Sequence, residues 1–205
     1  MKKCEWYKRS LFIRYAWRAA IIISLGGLLT LSAGCASHSG PVHVNPNMDF
    51  GAVQTVAILP FANLTRNDHA AERVRDEFMV RLLATEAIYA LPPGEVDRGL
   101  VRAGVSNRSA PSIEEVKKLA NILKVDAVIT GVLREYDSVR SGQSSANLIS
   151  LSIQMIETQT GQNVWTSSST KGGIDIWDRL FGGGGEPMNT VTAEASEDLI
   201  DKLFE

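Results

Sequence analysis

The spacing of apolar residues alternates along the chain between the patterns of strands and helices. A continuous apolar run at 55–61 predicts a strand covered on both faces. A stripe at helical spacing follows over 70–83, and a capping box of Ser112 and Glu115 begins another helix. The apolar run at 127–133 predicts a further buried strand. Two shorter elements lie between these, a strand at 89–91 and a helix at 95–103.

The carboxy-terminal part of the chain has a different pattern, in which apolar and polar residues alternate. Residues 149–155 have the period of a strand with one wet face, and 163–170 form its partner after a turn. The Ser- and Gly-rich segment 138–147 is predicted as a loop, and a last helix is predicted over 190–205. The order βαβααβββα predicts an α/β domain, a mixed sheet with helices on its faces.

The first 35 residues combine a basic start, an apolar stretch and a cysteine. Six Lys or Arg residues and one Glu lie before or beside the apolar stretch 19–31, which is shorter than the about 20 residues that span a membrane. Residues 31–35 (Leu-Ser-Ala-Gly-Cys) then offer small side chains to a peptidase and a thiol to a lipid. This pattern resembles the lipobox of bacterial lipoproteins, which implies cleavage after Gly34 and a lipid on Cys35.

This resemblance predicts three parts of the chain. They are a signal peptide at 1–34, the lipidated cysteine and a flexible tether at 35–54, and a single α/β periplasmic domain at 55–205. The tether is predicted because residues 36–47 are mostly Ser, His, Gly, Pro and Asn, which have little to bury.

The lipid on Cys35 is expected to be the membrane anchor, because two or more acyl chains hold a protein stably to a bilayer. In the lipoprotein pattern, an acidic residue after the cysteine retains the protein at the inner membrane. Ala36 and Ser37 follow here. We therefore expect a protein anchored in the outer membrane and facing the periplasm.

Charge and cysteine content limit the functions open to the mature chain. Removing six basic residues and one acid from the 21 basic and 23 acidic residues leaves a net charge of −7, so nucleic acid is not an expected partner. Besides Cys35 the chain has only Cys4, which leaves with the signal peptide, so neither a disulfide nor a thiol nucleophile is expected. His38 and His43 are expected to be solvated tether residues, and no metal site is predicted.

No catalytic motif is present in the sequence. There is neither a Gly-x-Ser-x-Gly elbow nor a Walker loop. The four glycines at 182–185 precede Glu186 and Pro187, whereas a phosphate cradle needs a helix amino terminus directly after it. We therefore expect that the protein is not an enzyme and has no cofactor apart from the covalent lipid.

Three stretches of the folded part resemble known periplasmic proteins. They are 56–65 (VAILPFANLT), 127–133 (AVITGVL) and 157–165 (ETQTGQNVW). They are similar to the curli-secretion (CsgG-like) lipoproteins, to penicillin-binding-protein activator lipoproteins and to the amino-terminal domain of the Tol system's translocation protein. The resemblance covers about 55–170 and implies a CsgG-like or TolB N-terminal-like fold.

Two functions are compatible with these features. The first is a binding or scaffold lipoprotein that docks a periplasmic or outer-membrane protein in envelope assembly or transport. The alternative is a homo-oligomeric subunit of a curli-like secretion ring or pore. Each barrel strand needs about 9–11 alternating residues, and the segment 138–147 is too short and polar for a barrel hairpin, which favours the first.

The candidate partner-binding site lies between the predicted hairpin and the glycine run. Apolar side chains cluster there beside flexible glycines, as at many docking sites. The alternative is that they pack onto the sheet as core. The candidate residues are Ile176, Trp177, Leu180 and Phe181.

The lipidation hypothesis predicts that a Cys35→Ala variant takes up no radioactive fatty acid, because the only thiol of the mature chain is lost. Cys4→Ala is the matched control and should keep its label, since that residue leaves with the signal peptide. Label retained by Cys35→Ala would contradict the hypothesis.

Overall fold

The computed structural model describes residues 40–141, 144–173 and 185–205. The strands in chain order are β1 (Val42–Val44), β2 (Thr55–Ile58), β3 (Ala62–Asn63), β4 (Tyr89–Ala90), β5 (Ala127–Ser141), β6 (Ser144–Glu157) and β7 (Asn163–Gly172). The helices are α1 (Ala70–Ala84), α2 (Pro93–Ala103), α3 (Ile113–Leu123) and α4 (Met188–Phe204), and a 3-10 turn lies at Phe50–Ala52.

The described strands form one mixed sheet in the order β1-β7-β6-β5-β2-β4, with β3 also paired to β5. Strand β2 runs parallel to β4 and β5, whereas β5, β6, β7 and β1 pair antiparallel. The longest ladder joins β5 to β6 from Ala127 to Ser141, with a bulge between Leu133 and Glu135. The predicted α/β class with a mixed sheet is therefore confirmed.

Helices α1 and α4 cover one face of the sheet, which we call the α4 face. Leu133, Leu151 and Phe78 are fully buried between sheet and helices. Trp165 of β7 is 1% exposed, and its indole Nε1 donates to the Lys202 carbonyl of α4 at 3.2 Å. The indole thus buries apolar area and also satisfies its one donor.

Helices α2 and α3 cover the other face only where β2 and β5 begin. Leu59, Leu100 and Leu119 form this second buried cluster. Helix α3 begins at the predicted capping box, in which the Ser112 amide donates to the Glu115 carboxylate at 2.8 Å and the Glu115 amide donates to Ser112 Oγ at 3.3 Å. Backbone donors of Ser106 and Ser112 lower the pKa of the Glu115 carboxyl.

The structure places part of the predicted tether 35–54 in the folded domain. Strand β1 pairs with β7 at 165–167, and Met48 and Phe50 pack against the core of the α4 face. The physical reason is that the outer backbone N–H and C=O groups of β7 need hydrogen-bond partners. The local composition of Pro, Asn and His does not reveal this need. The structure also has two short strands, β1 and β3, that the predicted order βαβααβββα lacks.

The segment 138–147 was predicted as a loop, and this prediction is wrong. Ser138 pairs with Asn147 and Val139 with Ala146, so the β5–β6 ladder continues almost to the turn. Ser and Gly content favours loops in general, but here the register set by the buried residues of the ladder extends into the polar residues.

A partly buried charge cluster ties α4 to β7. Lys202 Nζ donates to Asp198 Oδ2 at 2.6 Å and to the Ser168 carbonyl at 3.1 Å, and Lys171 Nζ donates to Asp198 Oδ1 at 3.0 Å. The Lys202 side chain is only 5% exposed. Partial burial raises the pKa of the Asp198 carboxyl, but hydrogen bonds led by that of Lys202 outweigh it, so the pKa is lowered overall.

We predict that Asp198→Asn lowers the free energy of unfolding at neutral pH by on the order of 3 kcal/mol, because it leaves the Lys202 ammonium buried without a carboxylate. A lowered folded pKa means that the stabilisation is present above the unfolded pKa of about 3.9 and is lost as pH falls through the folded pKa. The variant should therefore lose less stability than the wild type below about pH 4. Denaturant unfolding at several pH values measures both effects.

Asp201→Asn is the matched control for this prediction. Asp201 lies on the exposed side of α4, so its substitution should change stability by less than about 0.5 kcal/mol. Equal stability of the two variants at neutral pH would contradict the proposed role of Asp198.

Candidate functional site

A groove of about 330 Å³ lies where β5 extends past β3. Strand β3 pairs with β5 only at Val132 and Leu133, and the Leu64 amide donates to the Leu133 carbonyl at 2.9 Å. Beyond Leu133, no strand of the described ranges pairs with the outer side of β5. We call the stretch of β5 from Glu135 to Ser141 the free edge. The groove between the free edge and the loop after β3 is lined mainly by Leu64, Arg66, Arg134, Tyr136, Asp137 and Val139.

Hydrogen bonds of the Asn63 side chain hold the loop on the far side of this groove. Asn63 Oδ1 accepts from the Thr65 amide at 3.0 Å and from Thr65 Oγ1 at 2.8 Å, and Asn63 Nδ2 donates to the Asn67 carbonyl at 2.7 Å. The bond from the Thr65 amide to Asn63 Oδ1 is that of an Asx turn. The turn leaves the Leu64 side chain 68% exposed, so an apolar group stands at the mouth of the groove.

The backbone of the free edge offers unused hydrogen-bonding groups. In an antiparallel ladder every second residue directs its N–H and C=O away from the partner strand. The Ser138 amide points away from β6 in this way, and it is already occupied, because it donates to Oδ1 of its neighbour Asp137 at 2.7 Å. By the same alternation, the N–H and C=O groups of Tyr136 and Arg140 point away from β6.

The side chains around the groove are those of a binding site. Tyr136 packs partly against the core of the α4 face, so its ring is held in place from below. Arg134 Nη1 donates to Ser152 Oγ at 2.6 Å, which holds a cation beside the groove, and Asp137 adds a carboxylate on the strand. Apolar contact, charges of both signs and free backbone groups suit recognition of an extended peptide.

Metal-ligating side chains and a second cavity are the other features of the described residues that bear on chemistry. No three His, Cys, Asp or Glu side chains come together there as a metal site. A smaller cavity of about 210 Å³ lies where Phe50, Ile88 and Phe204 meet, and its walls are almost entirely apolar. It has no convergent polar groups that would orient a substrate.

Within the described ranges, no helix combines the length and the apolar character needed to span a bilayer.

The site residues predicted from the sequence lie outside the described residues. This applies to Cys35 and to the predicted partner-binding cluster, which is Ile176, Trp177, Leu180 and Phe181. The described residues Gly173 and Gly185 bond to β6, because the Gly173 amide donates to the Asn147 carbonyl at 2.8 Å and the Gly185 amide to the Ser145 carbonyl at 3.1 Å. Both site predictions remain predictions.

The groove was not predicted from the sequence. Its residues come from two segments about 70 positions apart, Leu64 to Arg66 and Arg134 to Val139, and the second of these overlaps the predicted loop. The available signal was the apolar Tyr136 and Val139 within an otherwise polar stretch. These two residues indicate a binding site only once the β5–β6 ladder is known to continue through them.

Comparison with known proteins identifies the class of the chain. Residues 50–178 match the GNA1162-like lipoprotein family. The match spans more than half of the chain, so the protein belongs to this family. No curated protein matches the chain.

Two solved structures, PelC and GNA1162, show the same fold at low sequence identity, and a third is less similar. PelC from Paraburkholderia phytofirmans, a dodecamer, has a TM-score of 0.55 and 16% identity, covering 80% of this chain and 98% of that one. Lipoprotein GNA1162 from Neisseria meningitidis has a TM-score of 0.52 and 15% identity, covering 72% and 99%. The LpoB carboxy-terminal domain from Escherichia coli has a TM-score of 0.45 and 14% identity, covering 60% and 86%.

The predicted lipoprotein class is therefore confirmed at the level of the family. The finer resemblance to curli-secretion and Tol-system proteins stays a prediction, as do the signal peptide and the lipid on Cys35.

Proposed function

We propose that this protein is a lipid-anchored, non-catalytic scaffold lipoprotein that faces the periplasm from the outer membrane and docks a protein partner in envelope assembly or transport. The observation that carries the proposal is the groove, where apolar side chains adjoin unused backbone groups of the free edge. Membership of a lipoprotein family supports the anchor. The lipid on Cys35 is its only covalent group.

Docking at the groove uses strand addition. An extended segment of the partner adds to the free edge, and its backbone forms the hydrogen bonds that supply affinity. The side chains of Leu64, Tyr136 and Val139 then select the partner through apolar contact. Like any strand edge, this one must be covered or protected against unwanted pairing, and a dedicated partner is one such cover.

A second candidate function is that of a subunit in a periplasmic ring. It is supported by the similarity to PelC, which is a dodecamer. A transmembrane pore is less well supported, because barrel strands need an apolar outward face about 25 Å tall. The β5–β6 hairpin instead carries charges on both faces of β5, with Glu135 and Asp137 on one face and Arg140 on the other.

We predict that Leu64→Asp lowers partner capture at least about tenfold, the equivalent of 1.4 kcal/mol, because it places a charge at the mouth of the groove. The measurement is crosslinking in cells followed by mass spectrometry and quantitative recovery of the partner. Leu64 is exposed, so the fold should be retained, as checked by circular dichroism.

Val101→Asp is the matched control, because Val101 is 65% exposed on α2, away from the groove. It should leave capture unchanged. Trp177→Ala tests the cluster predicted from the sequence in the same assay. Loss of capture with Trp177→Ala and not with Leu64→Asp would move the docking site away from the groove.

The ring function predicts a large oligomer after extraction of the native protein in mild detergent. Light scattering coupled to size exclusion gives the mass of the protein part. A monomer or small oligomer would exclude the ring and leave partner docking standing.

A further inference from the structure

We propose that the free edge of one subunit binds strand β1 of a second copy of this chain, so that copies join head to tail through one continuous sheet. This inference rests on the ring function proposed above and names the surface that forms the ring. It makes a second copy of this chain, in place of a different protein, the occupant of the groove. It requires two edges of the same sheet that match in direction, face and side chains.

The two edges lie on opposite sides of the sheet. Among the described strands, β1 is the last on one side, and the free edge belongs to the other side of β5. Contacts between two different surfaces of identical copies are heterologous, and such contacts build rings or filaments. Pairing of the free edge with itself would join only two copies.

The strand directions match. Successive antiparallel pairs place β1 antiparallel to β5 within one copy. A neighbouring copy in the same orientation therefore brings its β1 antiparallel to the free edge, which is the arrangement with the better hydrogen bonds.

The backbone groups and faces also match. The Asn45 amide donates to the Val164 carbonyl at 2.9 Å, so by alternation Val42 and Val44 direct their N–H and C=O away from β7. Both valines lie opposite Trp165 and Ser167, on the α4 face. On the free edge, Tyr136 likewise directs its N–H and C=O away from its partner strand, and its side chain lies on the α4 face.

One register satisfies the side chains best. With Val44 of one copy opposite Tyr136 of the other, a β-branched residue faces an aromatic one, a favourable cross-strand pair. In the same register His43 lies opposite Asp137 on the other face of the sheet, which pairs an imidazole with a carboxylate. Shifting the strand by two residues in one direction places His43 opposite Val139 and loses both pairs.

Strand β1 is poorly protected as an edge strand. Its Val42 and Val44 are 43% and 48% exposed, and it carries no charged residue of the kind that usually blocks strand addition. The free edge offers the complementary surface in Tyr136, whose position is held by the core beneath it. Cover by a second copy removes both exposed edges together.

The pairing displaces neighbouring copies along the strand direction. Through β7 and β6, Val44 lies level with Ile129 of its own β5. Because the bulge places two β5 residues opposite one β6 residue, binding at Tyr136 shifts the next copy by about six residues, roughly 20 Å. A closed ring then needs strands that are tilted against the ring axis, as strands are in barrels.

The test is disulfide crosslinking in the full-length protein in its native membrane. A His43→Cys, Asp137→Cys chain should form a ladder of dimers, trimers and higher species on a non-reducing gel, because every copy carries both halves of the contact. His43→Cys with Ser138→Cys is the control, since those side chains lie on opposite faces, and it should form at most a trace. Each variant with only one introduced cysteine is a further control, because it shows whether any disulfide forms through Cys35.

A photo-crosslinking residue in place of Tyr136 identifies what lies in the groove. Peptides from 40–47 of the same chain would support the proposal. Peptides of another protein would overturn it while supporting docking of a different partner. No adduct from a protein that unfolds cooperatively like the wild type would overturn groove docking altogether. A large native oligomer without the 43–137 ladder would keep the ring function and overturn this interface.

Discussion

The antiparallel pairing of β5 with β6 is the interaction on which the rest of the structure depends. The ladder runs along the whole of both strands, so every other strand attaches to one of them directly or through one neighbour. Its buried residues, such as Leu133 and Leu151, form the centre of the core that α1 and α4 cover. A slip of one residue in this ladder would turn these side chains to the other face.

The ladder is longer than the helices that cover it, and the candidate site follows from this mismatch. Near β2, helices lie on both faces of the sheet. Farther along, β3 ends at Asn63 and leaves the outer side of β5 uncovered among the described residues. The bulge after Leu133 lies at this point, and bulges commonly bend a strand and redirect its side chains near functional sites.

Membership of a lipoprotein family and the form of the groove lead to the same kind of function. A protein held at a membrane meets its partners at high effective concentration, so that modest contacts at one sheet edge are enough to bind a partner. In the head-to-tail assembly that we propose, the short β1 is a contact of this kind. Repeated around a closed assembly, one weak contact in each copy adds up to a stable whole, because every subunit is then held from two sides.

The sequence by itself determined the elements with strong local signals. The apolar run before Pro60, the capping box at Ser112 and the alternation over 149–155 depend on near neighbours, and the structure has them as predicted. Tertiary structure alone decided that β1 completes the edge of β7 and that serine-rich residues continue the long hairpin. It also brought Leu64 to Tyr136. These features depend on pairing between distant segments, whose energy no local window contains.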